Sequence, residues 1–591
     1  MNQRLLPILL FAAVMAVIPF IPGMPPFWIV LLDNIGLASL VAMGLVILTG
    51  VGGLTSFGQA AFCGFGAYTT AVLTTTYGLS PWLTLPLSLL VSGGVAVFLG
   101  LITVRLSGHY LPLGTIAWGI SLFYLFSKLE FLGRNDGISG IPPLSIGTLK
   151  MLDPGTIYFP IWIAVIACAL LSMNLLDSRT GRAIRALRRG HIAAEAFGVQ
   201  TARAKLLVFI YAAVLAGLSG WLYAHFQRAA NPTPFGPQAG IEYLFIAVVG
   251  GAGYVWGGVL GAAIVVILKE ALQSYLPLLF GGSGQLETIV FGILLVALLQ
   301  FAPTGMWPWL TSLLPFKAAR KQPDIATEAP PKLALEAEAG VLLQVDKARK
   351  EFGGVIAVND VSFDVTAREI VALIGPNGAG KSTTFNLITG VLTSTSGAIS
   401  VRGRSVDGAP PQDIVRRGIA RTFQHVKLVP DMTVLENVAL GAHLRGRSGA
   451  ISSMLRLDRA DEAKLLAEAA RQIARVGLAD QIDQLAGSLS LGQQRIVEIA
   501  RALCVDPQLL LLDEPAAGVP ESERHDILSA VASLPRDVTV LLIEHDMDLV
   551  FSFADRISVL VAGALLVEGP PDEVARDPRV KAVYLGEGAD V

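Results

Sequence analysis

Apolar residues dominate the first three hundred positions in ten stretches, at approximately 5–22, 28–49, 57–77, 82–104, 111–129, 157–176, 206–228, 241–252, 257–275 and 286–303. Most approach the ~20 residues that carry a helix across about 30 Å of hydrocarbon. One such stretch could be a buried soluble helix, but ten in succession read as a polytopic α-helical membrane domain over residues 1–315. Arg4 precedes the first run as in a secretion signal, yet no small-residue cleavage site follows, so a first membrane helix is the better reading. Gly250, Gly251, Gly253, Gly257 and Gly258 interrupt the pattern near 250 and predict two shorter segments hinged at glycine. From about Val341 the pattern changes: short β-rich runs alternate with helical periods, the signature of an α/β domain over 341–591. Between the two lies 316–340, which lacks apolar periodicity and holds Pro323, Pro330 and Pro331, a composition suited to a semi-extended tether.

Composition sharpens this division. Of the 591 residues 53% are hydrophobic and only 15% charged. Just 23 of the 90 charged residues fall in 1–310; the remainder give 311–591 a charge density typical of water-facing domains. A net charge of −2 leaves no basic field for nucleic acid. Cys63, Cys168 and Cys504 are widely spaced, and neither they nor the seven histidines show metal-ligand spacing. Arg179, Arg182, Arg185, Arg188, Arg189, Arg203 and Lys205 place the loop at 177–205 in the cytoplasm by the positive-inside rule. Counting segments from that loop puts both ends of the membrane domain inside, together with Lys317, Arg320 and Lys321, and delivers the second domain to the cytosol. Gly50, Gly52, Gly53, Gly58, Gly64 and Gly66 cluster at the third segment. They serve either close helix packing in lipid or broken helices lining a cavity. Asp33, Asn34, Glu242 and Glu270 are rare polar groups at or near membrane depth; each is a candidate for a path or simply a segment-end residue.

The second domain carries recognisable chemistry. Residues 370–383 read as a strand, a glycine-rich loop and a helix start, with Gly375, Pro376, Asn377, Gly378, Ala379, Gly380, Lys381, Ser382 and Thr383 fitting the phosphate-loop pattern. The glycines let backbone N–H groups surround phosphates, Lys381 supplies a point charge, and the Ser382 hydroxyl suits magnesium. Residues 509–514, LLLLDE, form a buried strand ending in two carboxylates where such sheets bind ligands. Asp513 is the magnesium ligand of this reading and Glu514 the general base. Ser490 and Gln493 make a capping box that opens a helix, and its N–H groups also suit an anion, here a second ATP.

The order of these motifs, with Gln424 in RTFQ, LSLGQQ at 489–494 and His545 in LLIEHD, resembles that of ABC-type ATPases. The resemblance implies ATP and Mg2+ as ligands, with Gln424 contacting magnesium and sensing a permease, and His545 meeting the γ-phosphate. It implies too that Ser490 and Gly492 complete the site of a facing ATPase. Phe352 sits where the family stacks an aromatic on adenine, although it also reads as a core residue. Two positions depart from the family: Leu491 replaces the commoner glycine, and Pro520 stands where many relatives place Asp. Both bear on cross-talk between two ATP sites.

More narrowly, RTFQHVKLVPDMTVLENV (421–438), DEPAAG (513–518) and AVYLGE (582–587) are similar to the ATP-binding subunit of branched-chain amino acid ABC importers. GVGGLTSFGQAAFCGFGAY (50–68) and GRAIRALRRGHIAAEAFGV (181–199) resemble one of that system's permease types. This implies a permease fused to its ATPase in a bacterial cytoplasmic membrane. The implied partners are a second permease subunit, a second ATPase subunit, an extracytoplasmic solute-binding protein, membrane lipid and a small-molecule substrate. The substrate is a branched-chain amino acid or, within the same permease type, urea, an amide or an aromatic acid. HIAAEAFG (191–198) is the candidate coupling contact with an ATPase. The rival readings are a homodimeric exporter, which has about six spans and long cytoplasmic helices, and a membrane-anchored regulatory ATPase.

Overall fold

The computed structural model describes residues 5–104, 106, 108, 110–188, 190–280, 285–313, 323–333 and 340–585. Arg189, Lys317, Arg320, Lys321 and the tether residues 316–322 and 334–339 lie outside them. Two compact units emerge: residues 1–177 with 202–319, and residues 178–201 with 320–591.

The first thirteen helices are α1 (Leu5–Val17), α2 (Pro26–Leu45), α3 (Gln59–Thr75), α4 (Pro81–Thr103), α5 (Tyr110–Lys128), α6 (Pro154–Leu176), α7 (Arg179–Leu187), α8 (His191–Glu195), α9 (Thr201–Gln227), α10 (Pro237–Gly250), α11 (Val255–Phe280), α12 (Gln285–Phe301) and α13 (Met306–Ser312). All but α7 and α8 belong to the first unit. Each of the ten apolar stretches is a helix, and among the described residues six helices are long and apolar enough to cross a membrane. The glycine hinge falls as expected, with α10 ending at Gly250 and Gly251 at φ +118°. The second segment is not short, however: α11 has 26 residues, because its apolar run continues past the glycines.

The glycines of the third segment answer their question by contact. A Cβ at Gly50 would overlap the Ala252 carbonyl, one at Gly66 the Gly217 backbone, and one at Gly64 the Phe126 ring. They permit close helix packing. Most of the polar groups are internally matched. Glu242 pairs with Lys269 at 2.8 Å. Thr70 bonds Thr84 at 2.6 Å and His225 at 3.0 Å, while Trp221 donates to Thr84. Asp33 is fully buried, and neither carboxylate oxygen has a partner among the described residues.

In the second unit a six-stranded sheet runs Ile419–Arg421, Leu509–Asp513, Thr539–Ile543, Ile370–Ile374, Arg556–Val561 and Ala564–Gly569. The first five strands are parallel and the last antiparallel. Such a sheet is covered on both faces, and its central strands are accordingly near-continuous Leu, Ile and Val. An antiparallel sheet of Val355–Thr366, Val341–Phe352, Ser396–Val401 and Arg404–Ser405 packs through one shared core containing Phe363, Phe385, Leu511 and Leu541. The described part of the tether makes a turn at 324–327, where the Thr327 N–H bonds the Asp324 carbonyl at 3.0 Å, and it is not free. Arg445 donates to the carbonyls of Pro330 and Pro331, and Arg471 to those of Ile325 and Thr327, at 2.8–3.2 Å. A proline-bearing segment outside helix and sheet has carbonyls without ladder partners, and the buried guanidinium of Arg445 and the partly exposed one of Arg471 are well matched to them.

Candidate active site

The parallel strands converge at their C-terminal ends, where Ile370–Ile374 runs into the phosphate loop and Lys381–Ile388 opens the following helix. Gly375 and Gly380 are at φ +149° and +96°, and a Cβ at either would strike a neighbouring backbone carbonyl, of Leu560 and Ala357 respectively. Only glycine closes this cradle. Lys381 is 5% exposed; its ammonium donates to the Gly375 carbonyl at 2.7 Å and to Pro376 at 3.0 Å. Burial lowers its pKa, and the charges of Glu514 and Asp513 oppose that shift. Ser382 and Thr383 are half-buried on the first turn.

Leu509–Asp513, separated from Ile370–Ile374 by the strand Thr539–Ile543, delivers Asp513 and Glu514 to the same edge. Asp513 is 3.5 Å from Arg421, and its other oxygen is buried without a partner. Burial raises its pKa, with Arg421 acting in the opposite sense. An orphaned carboxylate oxygen beside a hydroxyl-bearing helix start fits a magnesium ion, which takes one or two carboxylates and completes its shell from phosphates and water. No cluster of three or more His, Cys, Asp or Glu occurs among the described residues, in keeping with that sparse ligand set. Glu514 has φ +47°, a strained conformation for a side-chain-bearing residue. One carboxylate oxygen accepts from Gln424 Nε2 at 3.1 Å and the other is 3.0 Å from His545 Nε2. Three residues drawn from separate motifs thus meet at one group.

Ser490, Gly492 and Phe352 lie apart from this centre. Phe352 is 47% exposed with the Lys350 ammonium over its ring at 5.2 Å, so it is not a core residue. The capping box forms: Ser490 Oγ accepts from Gln493 N–H, and Gln493 accepts from Ser490 N–H. The sequence does not reveal that Glu523 already occupies this helix start. Its carboxylate accepts from Ser490 Oγ at 3.0 Å and from Gly492 N–H at 2.9 Å. Leu491 is exposed, and Pro520 forms the N-cap of the helix Glu521–Ala532 that carries Glu523.

The second unit also holds residues 178–201. The Arg182–Glu462 ion pair is 2% and 7% exposed. Arg185 meets Glu436 at 3.2 Å, while the other Glu436 oxygen caps its own helix by accepting from Thr433 N–H. Arg179 donates to the carbonyls of His443 and Ser448 at 2.6 and 2.5 Å. Phe197 packs under Arg501, and Gly198 lies against Leu444. The expected contact at 191–198 is therefore part of a larger one in which α7 supplies the charges. Spacing of three along Arg179, Arg182 and Arg185 was the available signal for a single charged helix face.

Comparison with known proteins is decisive for both halves. Residues 30–299 match the family of branched-chain amino acid transport system permease components. Residues 358–517 match ABC transporters, and 564–590 the branched-chain amino acid ATP-binding cassette C-terminal family. The high-affinity branched-chain amino acid transport ATP-binding protein LivG of Salmonella typhimurium is 44% identical over 42% of this chain and 98% of its own length. This chain belongs to the branched-chain amino acid ABC transporter family. The high-affinity branched-chain amino acid transport ATP-binding protein BraF of Pseudomonas aeruginosa is 40% identical over 42% of this chain and 98% of its own length. A nucleotide-free ATP-binding cassette crystal structure aligns at 33% identity and TM-score 0.37 over 42% of this chain and all of its own. The transporter chain is thus a permease fused to an ATPase that hydrolyses ATP to drive transport, with its first unit embedded in a membrane.

Proposed function

We propose that this transporter imports branched-chain amino acids across the bacterial cytoplasmic membrane, working with a second permease, a second ATPase and an extracytoplasmic solute-binding protein. The observation that carries the reading is the union, on one chain, of a permease-family domain with an ATPase whose helices hold the 178–201 loop through a buried ion pair. Lys381 swings from the loop carbonyls to the β- and γ-phosphates of ATP. Ser382, Gln424 and Asp513 would hold a Mg2+ ion, which would supply charge neutralisation on the phosphate oxygens. Glu514, steadied between Gln424 and His545, takes the proton of the attacking water. Phe352 offers its exposed face to adenine. Ser490 and Gly492 serve the nucleotide of the facing ATPase once Glu523 has withdrawn. Closure of the two ATPases then moves α7 and α8, and hydrolysis resets them.

A branched-chain amino acid is favoured over urea or an amide because the permease-family match and LivG, 44% identical, both carry branched-chain amino acid transport in their descriptions. The test is uptake into proteoliposomes that hold the chain, its co-encoded partner subunits and the binding protein. ATP-dependent accumulation of labelled leucine, absent for urea and abolished by Arg182→Ala, is the expected result. Accumulation of urea but not leucine overturns the substrate; ATP-dependent efflux overturns the direction.

A further inference from the structure

The helix Leu491–Leu503 places Arg495, Glu498 and Arg501 three residues apart, hence on one face. All three are buried, at 6%, 1% and 1% exposure. Arg495 donates to the carbonyls of Phe423, at 2.6 Å, and Gln424. Glu498 accepts from the Lys427 N–H at 2.8 Å and from Arg501 at 3.1 Å, and its second oxygen is 3.6 Å from Arg495. Arg501 in turn donates to the Lys427 carbonyl at 3.0 Å, and its guanidinium lies 4.3 Å over the ring of Phe197, itself fully buried. The segment 423–427, which carries Gln424, is thus lashed by four backbone groups to one helix. The far end of the same side-chain row faces the 178–201 loop.

We infer that Arg495, Glu498 and Arg501 are positioning residues that tie the placement of Gln424 at the Glu514 carboxylate to the placement of Phe197. Two physical features favour a stiff link. Buried charge pairs whose members also bond backbone groups have few alternative arrangements, since any slip leaves a desolvated charge unpaired. A guanidinium stacked on an aromatic face also resists sideways motion more than aliphatic contacts do. Movement of Gln424 toward a bound nucleotide therefore draws Lys427, Arg501 and Phe197 with it. The inference rests on the reading of Gln424 as a nucleotide-site residue.

Hydrogen–deuterium exchange on the purified full chain carrying Glu514→Gln tests it, with and without ATP and Mg2+. Nucleotide should protect 375–383 and also change exchange at 191–199. Arg501→Lys, which keeps the charge but loses the planar stack and fork, should abolish the second response and keep the first. Phe197→Ala, made from the loop side and outside the ATPase core, should do the same, and the double variant should show no further loss. An undiminished 191–199 response in both single variants overturns the inference, as does a parent chain with no response there. Absence of protection at 375–383 in the parent overturns the nucleotide reading instead.

Discussion

Two helices of the ATPase begin by exposing backbone amides, and they meet charge in opposite ways. At Lys381–Ile388 the resident charge is a cation, Lys381, turned back onto the carbonyls of Gly375 and Pro376. At Leu491–Leu503 it is an anion, Glu523, seated on the Ser490 hydroxyl and the Gly492 N–H. The first arrangement leaves the loop amides for phosphate and keeps a positive group beside them. The second already satisfies the donors a phosphate would use. On the proposed reading, intrinsic nucleotide affinity belongs to the phosphate loop, and the signature start contributes only after Glu523 is displaced. The same local geometry serves as a site in one place and a conditional site in the other.

Four variants break or sharpen this contrast. Glu514→Gln removes the proposed base and leaves both helix starts intact. Turnover should fall by about 10²–10⁴-fold, the usual contribution of general base catalysis, with ATP binding retained; steady-state phosphate release and nucleotide titration measure the two. Lys381→Ala should weaken ATP binding about 10- to 100-fold, the scale of one or two hydrogen bonds to a charged group. Unchanged affinity by fluorescent nucleotide titration would mean that the amides alone hold the phosphates. Glu523→Ala should act in the reverse direction, lowering the ATP concentration needed for ATPase pairing by roughly 3- to 10-fold, since one charge-assisted competitor is gone. Light scattering of the Glu514→Gln background against ATP concentration reads it, and a shift to higher concentration would show Glu523 to be supportive, not competing. Ser490→Ala should cost about 1 kcal/mol of thermal stability through loss of the cap. It should leave nucleotide binding to a single ATPase unaltered, which calorimetry and titration check together.

The loop contact offers a parallel contrast between α7 and the residue that follows it. Arg182 and Glu462 are buried together, whereas Arg188 and Asp431, 3.6 Å apart, are 62% and 81% exposed. Breaking the first strands a desolvated carboxylate, worth about 3–5 kcal/mol, while surface pairs like the second are worth about 0–1 kcal/mol. The sequence presents all these arginines as one basic run, indistinguishable from a topology signal.

What the chain spells out locally was legible in advance. The ten apolar stretches, the phosphate loop, the carboxylates ending Leu509–Asp513 and the Ser490–Gln493 cap each depend on neighbours within one turn or one strand, so spacing alone reveals them. Tertiary structure decided the rest: that Gln424, Glu514 and His545 share one carboxylate, that Glu523 covers the signature start, that Arg182 is buried and that Arg501 reaches Phe197. These pairs join distant segments, and burial, which sets what a charge is worth, depends on what the fold lays over it and not on the residues beside it in the chain.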